Sequence, residues 1–156
     1  MARSKGDTMV ITHSVEETRA LGARLARCLK AGDTVLLEGD LGAGKSELAR
    51  GVARGLGISG PVPSPSFTIL NAYDEGRVPL YHFDWYRISD SAEIGEMGLD
   101  EQIGGDGVAL IEWGGRAPEW LPRRALKIEI TNLGGDDRAI DIQPLGDFPF
   151  KEETIL

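Results

Sequence analysis

The sequence predicts an α/β fold, one mixed β-sheet flanked by helices in a single domain. Three observations lead there. Two short apolar runs, Thr34-Val35-Leu36-Leu37 and Val108-Ala109-Leu110-Ile111, show little alternation, as strands buried on both faces do. The first run is followed by a glycine-rich loop that opens a helix-like segment. The chain has 156 residues, about the size of one domain, with no repeat, linker or low-complexity stretch.

The elements follow in order. Residues 1–8 read as a flexible tail, residues 9–143 as the folded domain and residues 144–156 as a poorly ordered C-terminal tail. Met9-Val10-Ile11-Thr12 is a short strand. Ser14-Val15-Glu16-Glu17 has the form of a capping box, in which side chains satisfy the free amides of a helix start. Val15, Leu21, Leu25, Cys28 and Leu29 then recur at helical spacing, and Gly32-Asp33 ends that helix. Residues 45–56 read as a second helix, ended by Gly57. The three prolines of Gly60 to Pro65 remove amides and fix the backbone, so this stretch is irregular. Phe67 to Tyr73 and Val78 to Tyr86 read as partner strands around the turn Asp74-Glu75-Gly76. Residues 90–103 read as one or two short helices broken at Gly98. Pro118 to Pro122 is a connection. Leu126 to Thr131 and Arg138 to Gln143 alternate at period two about a Gly-Gly-Asp-Asp turn, which predicts a hairpin.

Composition narrows the function. Acids outnumber bases 25 to 17, for a net charge of −8. A protein that grips nucleic acid by itself needs a basic face, because phosphate neutralisation supplies most of the affinity. Autonomous RNA or DNA binding is therefore not expected. No apolar run approaches the roughly 18 residues of a membrane span, and Cys28 is the lone cysteine, which fits a reducing cytoplasm.

Gly39-Asp40-Leu41-Gly42-Ala43-Gly44-Lys45-Ser46 matches the Walker A pattern, with a strand before it and a helix after it. The glycines permit a backbone that turns successive amides inward around phosphate oxygens. The helix that follows adds its positive N-terminal end. Lys45 is placed to reach the β- and γ-phosphates, and the Ser46 hydroxyl to bind Mg²⁺. Such a site also needs an acid at the end of a neighbouring strand. Glu112 and Asp84 both stand at strand ends and both qualify. The cofactors this predicts are ATP and Mg²⁺ in a P-loop NTPase-like fold. The Asn/Thr-Lys-x-Asp signature of guanine recognition is absent. A small kinase would need a lid of several arginines, and Arg87, Arg116, Arg123 and Arg124 do not form a recognisable one.

Five segments in register carry a resemblance. They are the Walker A loop, Val62-Pro63-Ser64-Pro65-Ser66-Phe67-Thr68, Tyr81-His82-Phe83-Asp84-Trp85-Tyr86-Arg87, Glu96-Met97-Gly98-Leu99-Asp100-Glu101 and Leu110-Ile111-Glu112-Trp113. The chain resembles the bacterial TsaE (YjeE) family, the ATPase component in making threonylcarbamoyladenosine on tRNA. The likeness runs from about Val10 to Ile142. Ser46 stands where Thr is frequent in the family, Ser66 where Thr is common and Trp85 where Leu is common.

The resemblance implies the following roles. Ser46 and Glu112 would serve Mg²⁺, with Asp84 a further acid facing the metal or its water. Leu41 to Ser46 would wrap the phosphates, and Ser64 to Thr68 would form a switch-like loop with hydroxyls near the γ-phosphate. Trp113 would lie near the nucleotide, and Thr12 to Val15 near the base. Lys45, Asp84 and Glu112 would be catalytic in a slow, Mg²⁺-dependent hydrolysis of ATP. The partners would be TsaB and TsaD, with tRNA engaged only through that complex. His82 reads as a packed or hydrogen-bonded core histidine, not a catalytic base. Arg87 is left between a phosphate contact and an ion pair, and Trp120 reads as a core or rim aromatic. A small kinase and a nucleotide-dependent regulatory subunit without turnover are the alternatives.

Overall fold

Seven strands and three α-helices account for the regular structure of the computed structural model, which describes residues 7–155. Residues 1–6 of the expected N-terminal tail lie outside the described residues. In chain order the elements are β1 (Thr8–Thr12), α1 (Val15–Leu25), β2 (Thr34–Glu38), α2 (Lys45–Gly55), β3 (Leu70–Tyr73) and β4 (Leu80–Asp84). Then come α3 (Ala92–Glu96), β5 (Val108–Glu112), β6 (Ala125–Gly134) and β7 (Asp137–Leu145). All seven strands form one sheet in the order β1-β7-β6-β2-β5-β4-β3. The four central strands, β6, β2, β5 and β4, are parallel, and β3, β7 and β1 are antiparallel to their neighbours. The mixed sheet flanked by helices is the predicted fold.

Side-chain alternation sorts the core into two layers. Val35 and Leu37 of β2, Leu80 of β4 and Val108 and Leu110 of β5 pack against Leu21, Leu25, Leu48, Val52 and Leu56 on the side of α1 and α2. Leu36, Phe83, Ala109 and Ile111 point the other way and meet Trp85, Ile94 and the partly buried Trp113 and Trp120. By the same period of two, His82, Asp84 and Glu112 fall on the side of α2.

The two long helices lie backbone to backbone. A Cβ on Gly51 of α2 would stand 2.1 Å from the Arg19 carbonyl oxygen of α1, and one on Gly22 would stand 2.5 Å from the Leu48 oxygen. Only glycine admits this approach, and it draws α2 tight against its neighbour.

Several boundaries differ from the sequence reading, each for a local reason. Ser14 caps α1 by accepting the Glu17 amide at 3.0 Å, but Glu17 reaches past it to the His13 amide at 2.8 Å. The first helix ends at Leu25 and tightens into a 3₁₀ turn, Ala26–Cys28, instead of running to Gly32-Asp33. Arg77 accounts for the early stop, because its guanidinium donates to the carbonyls of Ala26, which also accepts the Leu29 amide, and of Leu29, at 2.6 and 2.9 Å. The strand expected from Phe67 begins only at Leu70, since the Ile69 amide folds back onto the Pro65 carbonyl. Its partner, expected over Val78 to Tyr86, is cut to Leu80–Asp84 by Pro79 on one side. On the other side the Tyr86 amide turns back to Asp84 Oδ1 at 2.9 Å. The hairpin is longer than expected, and β7 continues through Pro144 beyond the last rung with β1, where a missing amide costs little.

The C-terminal segment is a correction. Expected to be poorly ordered, it buries Phe148 and Ile155 in the layer of α1 and α2, and Arg24 donates to the Ile155 carbonyl at 2.7 Å. No helix among the described residues is long and apolar enough to cross a membrane.

Candidate functional site

The predicted phosphate loop lies at the C-terminal ends of the parallel strands, between β2 and α2. Gly44 caps α2 in the left-handed region at φ 108°, and Gly42 is also left-handed at φ 80°. The start of the loop is pinned from below, because a Cβ on Gly39 would stand 2.8 Å from the Ile130 carbonyl of β6. From above, Arg138 of β7 donates to the Ala43 carbonyl at 2.7 Å. The same guanidinium binds Asn132 Oδ1 and the carbonyls of Gly135 and Asp137, so the hairpin turn and the phosphate loop share one clamp.

Lys45, although charged, is buried. Its Nζ donates to the Gly39 carbonyl at 2.8 Å, sits 4.3 Å from the centre of the Trp113 ring and lies 3.9 Å from Glu112 Oε1. The carbonyl, the ring face and the carboxylate share the stabilisation of a cation taken from water. Trp113 holds this position from a left-handed backbone, φ 59°, an uncommon state for a bulky residue.

Asp84 and Glu112 are register partners at the ends of β4 and β5, and both are buried. Asp84 is held by the Tyr86 amide on Oδ1 and by the Ser66 hydroxyl on Oδ2 at 3.4 Å. Glu112 Oε2 is 2.6 Å from His82 Nε2. Ser46 follows Lys45 in the first turn of α2 and is half-buried. The hydroxyl and the two carboxylates form a set of hard oxygen donors beside a fixed cation, which fits Mg²⁺ with phosphate.

The loop Ser64 to Thr68 is anchored to this set. Ser64 Oγ lies 2.8 Å from Ser66 Oγ, and Ser66 in turn donates to Asp84. Ile69, where the loop enters β3, has φ 68°, strain of about 1–3 kcal/mol for a β-branched residue. Arg87 donates to the Ser66 carbonyl at 3.1 Å and stacks on Phe67, so it braces this loop. Thr68 is exposed and donates to Asn71 at 2.8 Å, away from the phosphate loop.

A cavity of about 510 Å³ opens beside the loop. Gly39, Asp40, Leu41, Ala43 and Lys45 line one side, Trp113 to Gly115 another, and Glu129 to Asn132 of β6 the third. Sequence reasoning had not assigned Glu129 to Asn132 or Arg138 to the site, because both come from the hairpin far along the chain. Of the arginines considered for a lid, Arg116 stacks on Tyr86 and Arg124 pairs with Asp33. Trp120, read as a core or rim aromatic, is partly buried and donates to the Ser91 carbonyl at 2.7 Å.

The sheet order and the loop at its centre define an α/β protein of P-loop NTPase-like architecture. Residues 12–140 match the family described as threonylcarbamoyl adenosine biosynthesis protein TsaE, and the chain belongs to that family. It is 46% identical over 135 residues to the tRNA threonylcarbamoyladenosine biosynthesis protein TsaE of Bacillus subtilis, covering 86% of this chain and 84% of that one. The protein of the same name from a Nostoc species is 39% identical over 141 residues, covering 88% and 86%. A crystal structure of Bacillus subtilis YdiB superposes with a TM-score of 0.80 at 40% identity, covering 94% of this chain and 90% of that one.

Proposed function

We propose that this chain is the Mg²⁺-dependent ATP-hydrolysing component of the tRNA threonylcarbamoyladenosine machinery, acting with TsaB and TsaD. The observation that carries the reading is the convergence on one point of a phosphate loop, a buried lysine and two buried carboxylates from adjacent parallel strands. A binder without turnover has little use for a second buried acid tied to a hydroxyl-bearing loop.

The inward amides of the loop and the N-terminus of α2 receive the phosphates. Lys45 exchanges the Gly39 carbonyl for a phosphate oxygen and stabilises the charge that develops on transfer. The Ser46 hydroxyl with the Glu112 and Asp84 carboxylates would hold Mg²⁺, which would supply further charge neutralisation. Asp84, already an acceptor for the Ser66 hydroxyl, orients water from the side of the Ser64 to Thr68 loop. Arg138 spends its guanidinium on carbonyls of the loop and the hairpin turn, and Arg87, Arg116 and Arg124 are engaged elsewhere, so turnover is slow until the partners dock. The −8 charge agrees with leaving tRNA to those partners.

Phosphate release from Mg·ATP, measured alone and with TsaB, TsaD and tRNA, tests the reading. Release is expected to rise with the partners and to fall about a hundredfold or more in Lys45→Ala. Tight ATP binding with no release in any mixture overturns hydrolysis and leaves a regulatory subunit. A stable phosphorylated product in place of free phosphate identifies a kinase.

A further inference from the structure

Glu112 carries a divided carboxylate. Oε1 faces Lys45 Nζ at 3.9 Å, beyond hydrogen-bond length, while Oε2 is 2.6 Å from His82 Nε2. His82 is 1% exposed. Its Cα is opposite Leu110, two residues before Glu112, so the ring reaches along the face of the sheet to support the acid from beneath. A carboxylate only accepts, so Nε2 carries the hydrogen. Nδ1 is buried without a partner among the described residues, as suits a bare ring nitrogen, whereas a second N–H there would be stranded.

We infer that His82 is a positioning residue that holds Glu112 apart from Lys45, so that Oε1 stays free for the metal and Lys45 stays free for phosphate. This rests on the proposed reading of the site as one for Mg·ATP. The physical argument is one of competition. Without His82, Oε2 is a buried anionic oxygen with no donor, and the strongest donor within reach is the Lys45 ammonium. The carboxylate then turns to Lys45 and closes the 3.9 Å gap. Both groups are spent on each other in a direct ion pair, as buried opposite charges are when nothing else satisfies them. A histidine suits this task, since its short, stiff side chain donates at a fixed height above the strand.

The test compares the full chain with His82→Leu and His82→Gln, the latter placing an amide N–H at a similar reach. The first readout is calorimetric affinity for ATP with Mg²⁺ and with the metal chelated. The gain that Mg²⁺ confers is expected to fall about 10- to 100-fold in His82→Leu, the effect of losing a hydrogen bond to a charged group. It is expected to return largely in His82→Gln, and metal-free affinity, lowered in His82→Leu by the loss of Lys45 to Glu112, is expected to return with it. A full Mg²⁺ gain in His82→Leu, or equal loss in both variants, overturns the inference. The second readout is the long-range ¹H–¹⁵N spectrum of the imidazoles, of which the chain has two, His13 and His82. A protonated Nε2 on His82 that shifts in Glu112→Gln supports the contact, and an unprotonated Nε2 refutes it. Neither readout needs hydrolysis, so a chain that binds Mg·ATP without turnover would fail the ATPase reading and still decide this one.

Discussion

One face of the sheet is covered by α1 and α2, eleven residues each, and its buried side chains are mainly leucine, isoleucine, valine and alanine. The other face is covered by the five-residue α3 and several 3₁₀ turns, and its bulk is aromatic, with Phe83 and Trp85 edge to face at 6.0 Å. The difference lies in how each layer is held. The helical face is fixed by backbones in contact at glycine, which leaves little room for displacement. The aromatic face is filled by large rings, which contribute area but tolerate small shifts. The phosphate loop and its acids stand on the first face. A site that must hold a cation, two carboxylates and a hydroxyl in register is best built on the layer with the least freedom.

The contrast can be broken most severely at Trp85. Trp85→Ala should remove about 3–5 kcal/mol of stability, read as the midpoint of urea unfolding. Trp85→Phe should cost far less, because the buried indole N–H has no acceptor among the described residues to lose. Nucleotide affinity of the Phe variant should stay near that of the parent.

Gly51→Ala acts on the other layer and sharpens the difference. Alanine gains about 0.5–1 kcal/mol of helix propensity, but its Cβ would stand 2.1 Å from a backbone oxygen that cannot move alone. Overpacking of this kind costs about 1–3 kcal/mol, so the net loss in stability is smaller than for Trp85→Ala. ATP affinity should nevertheless fall more than in Trp85→Phe, because the helix displaced is the one that begins at Lys45. Equal affinities in the two variants would mean the helical face does not set the loop.

The smallest effect concerns Cys28, half-buried at the end of the helical layer. Burial pushes its thiol from 9.0 up to about 11. The folded chain thus holds this proton more tightly than the unfolded one. The stability involved is whole below pH 9 and is lost as pH rises toward 11. Relative to Cys28→Ala, the parent should lose stability between pH 8 and pH 10 by less than about 1 kcal/mol, the partial exposure of the thiol reducing the effect.

The parts legible in the sequence were those written contiguously. The phosphate loop is one octapeptide, and its geometry follows from its own glycines, so loop, flanking strand and flanking helix were all readable. Glu112 could be placed at a strand end, because a buried run that stops at an acid marks such an end, whereas the strand bearing Asp84 was expected to run on to Tyr86 and stops at Asp84. The pairing of His82 with Glu112, 30 residues apart, was not readable, since it depends on the register of two strands. Arg138 was hidden for the same reason, being 95 residues from the carbonyl it clamps. The early end of α1 was missed because the agent is Arg77, which arrives from another part of the fold. The docked C-terminal segment was missed because Phe148, Phe150 and Ile155 are too sparse to show a period.

The hairpin that braces the phosphate loop has a further consequence for a chain made from its N-terminus onward. Thr8 finds its rung opposite Ile142, and the loop that begins at Gly39 rests on Ile130 and is clasped by Arg138. A nascent chain displays the whole Walker sequence long before any of these supports exists. Ribosome-bound and prematurely ended products therefore carry the octapeptide without the cradle. On the proposed reading of the site, nucleotide is engaged only once the last strand of the sheet has joined it.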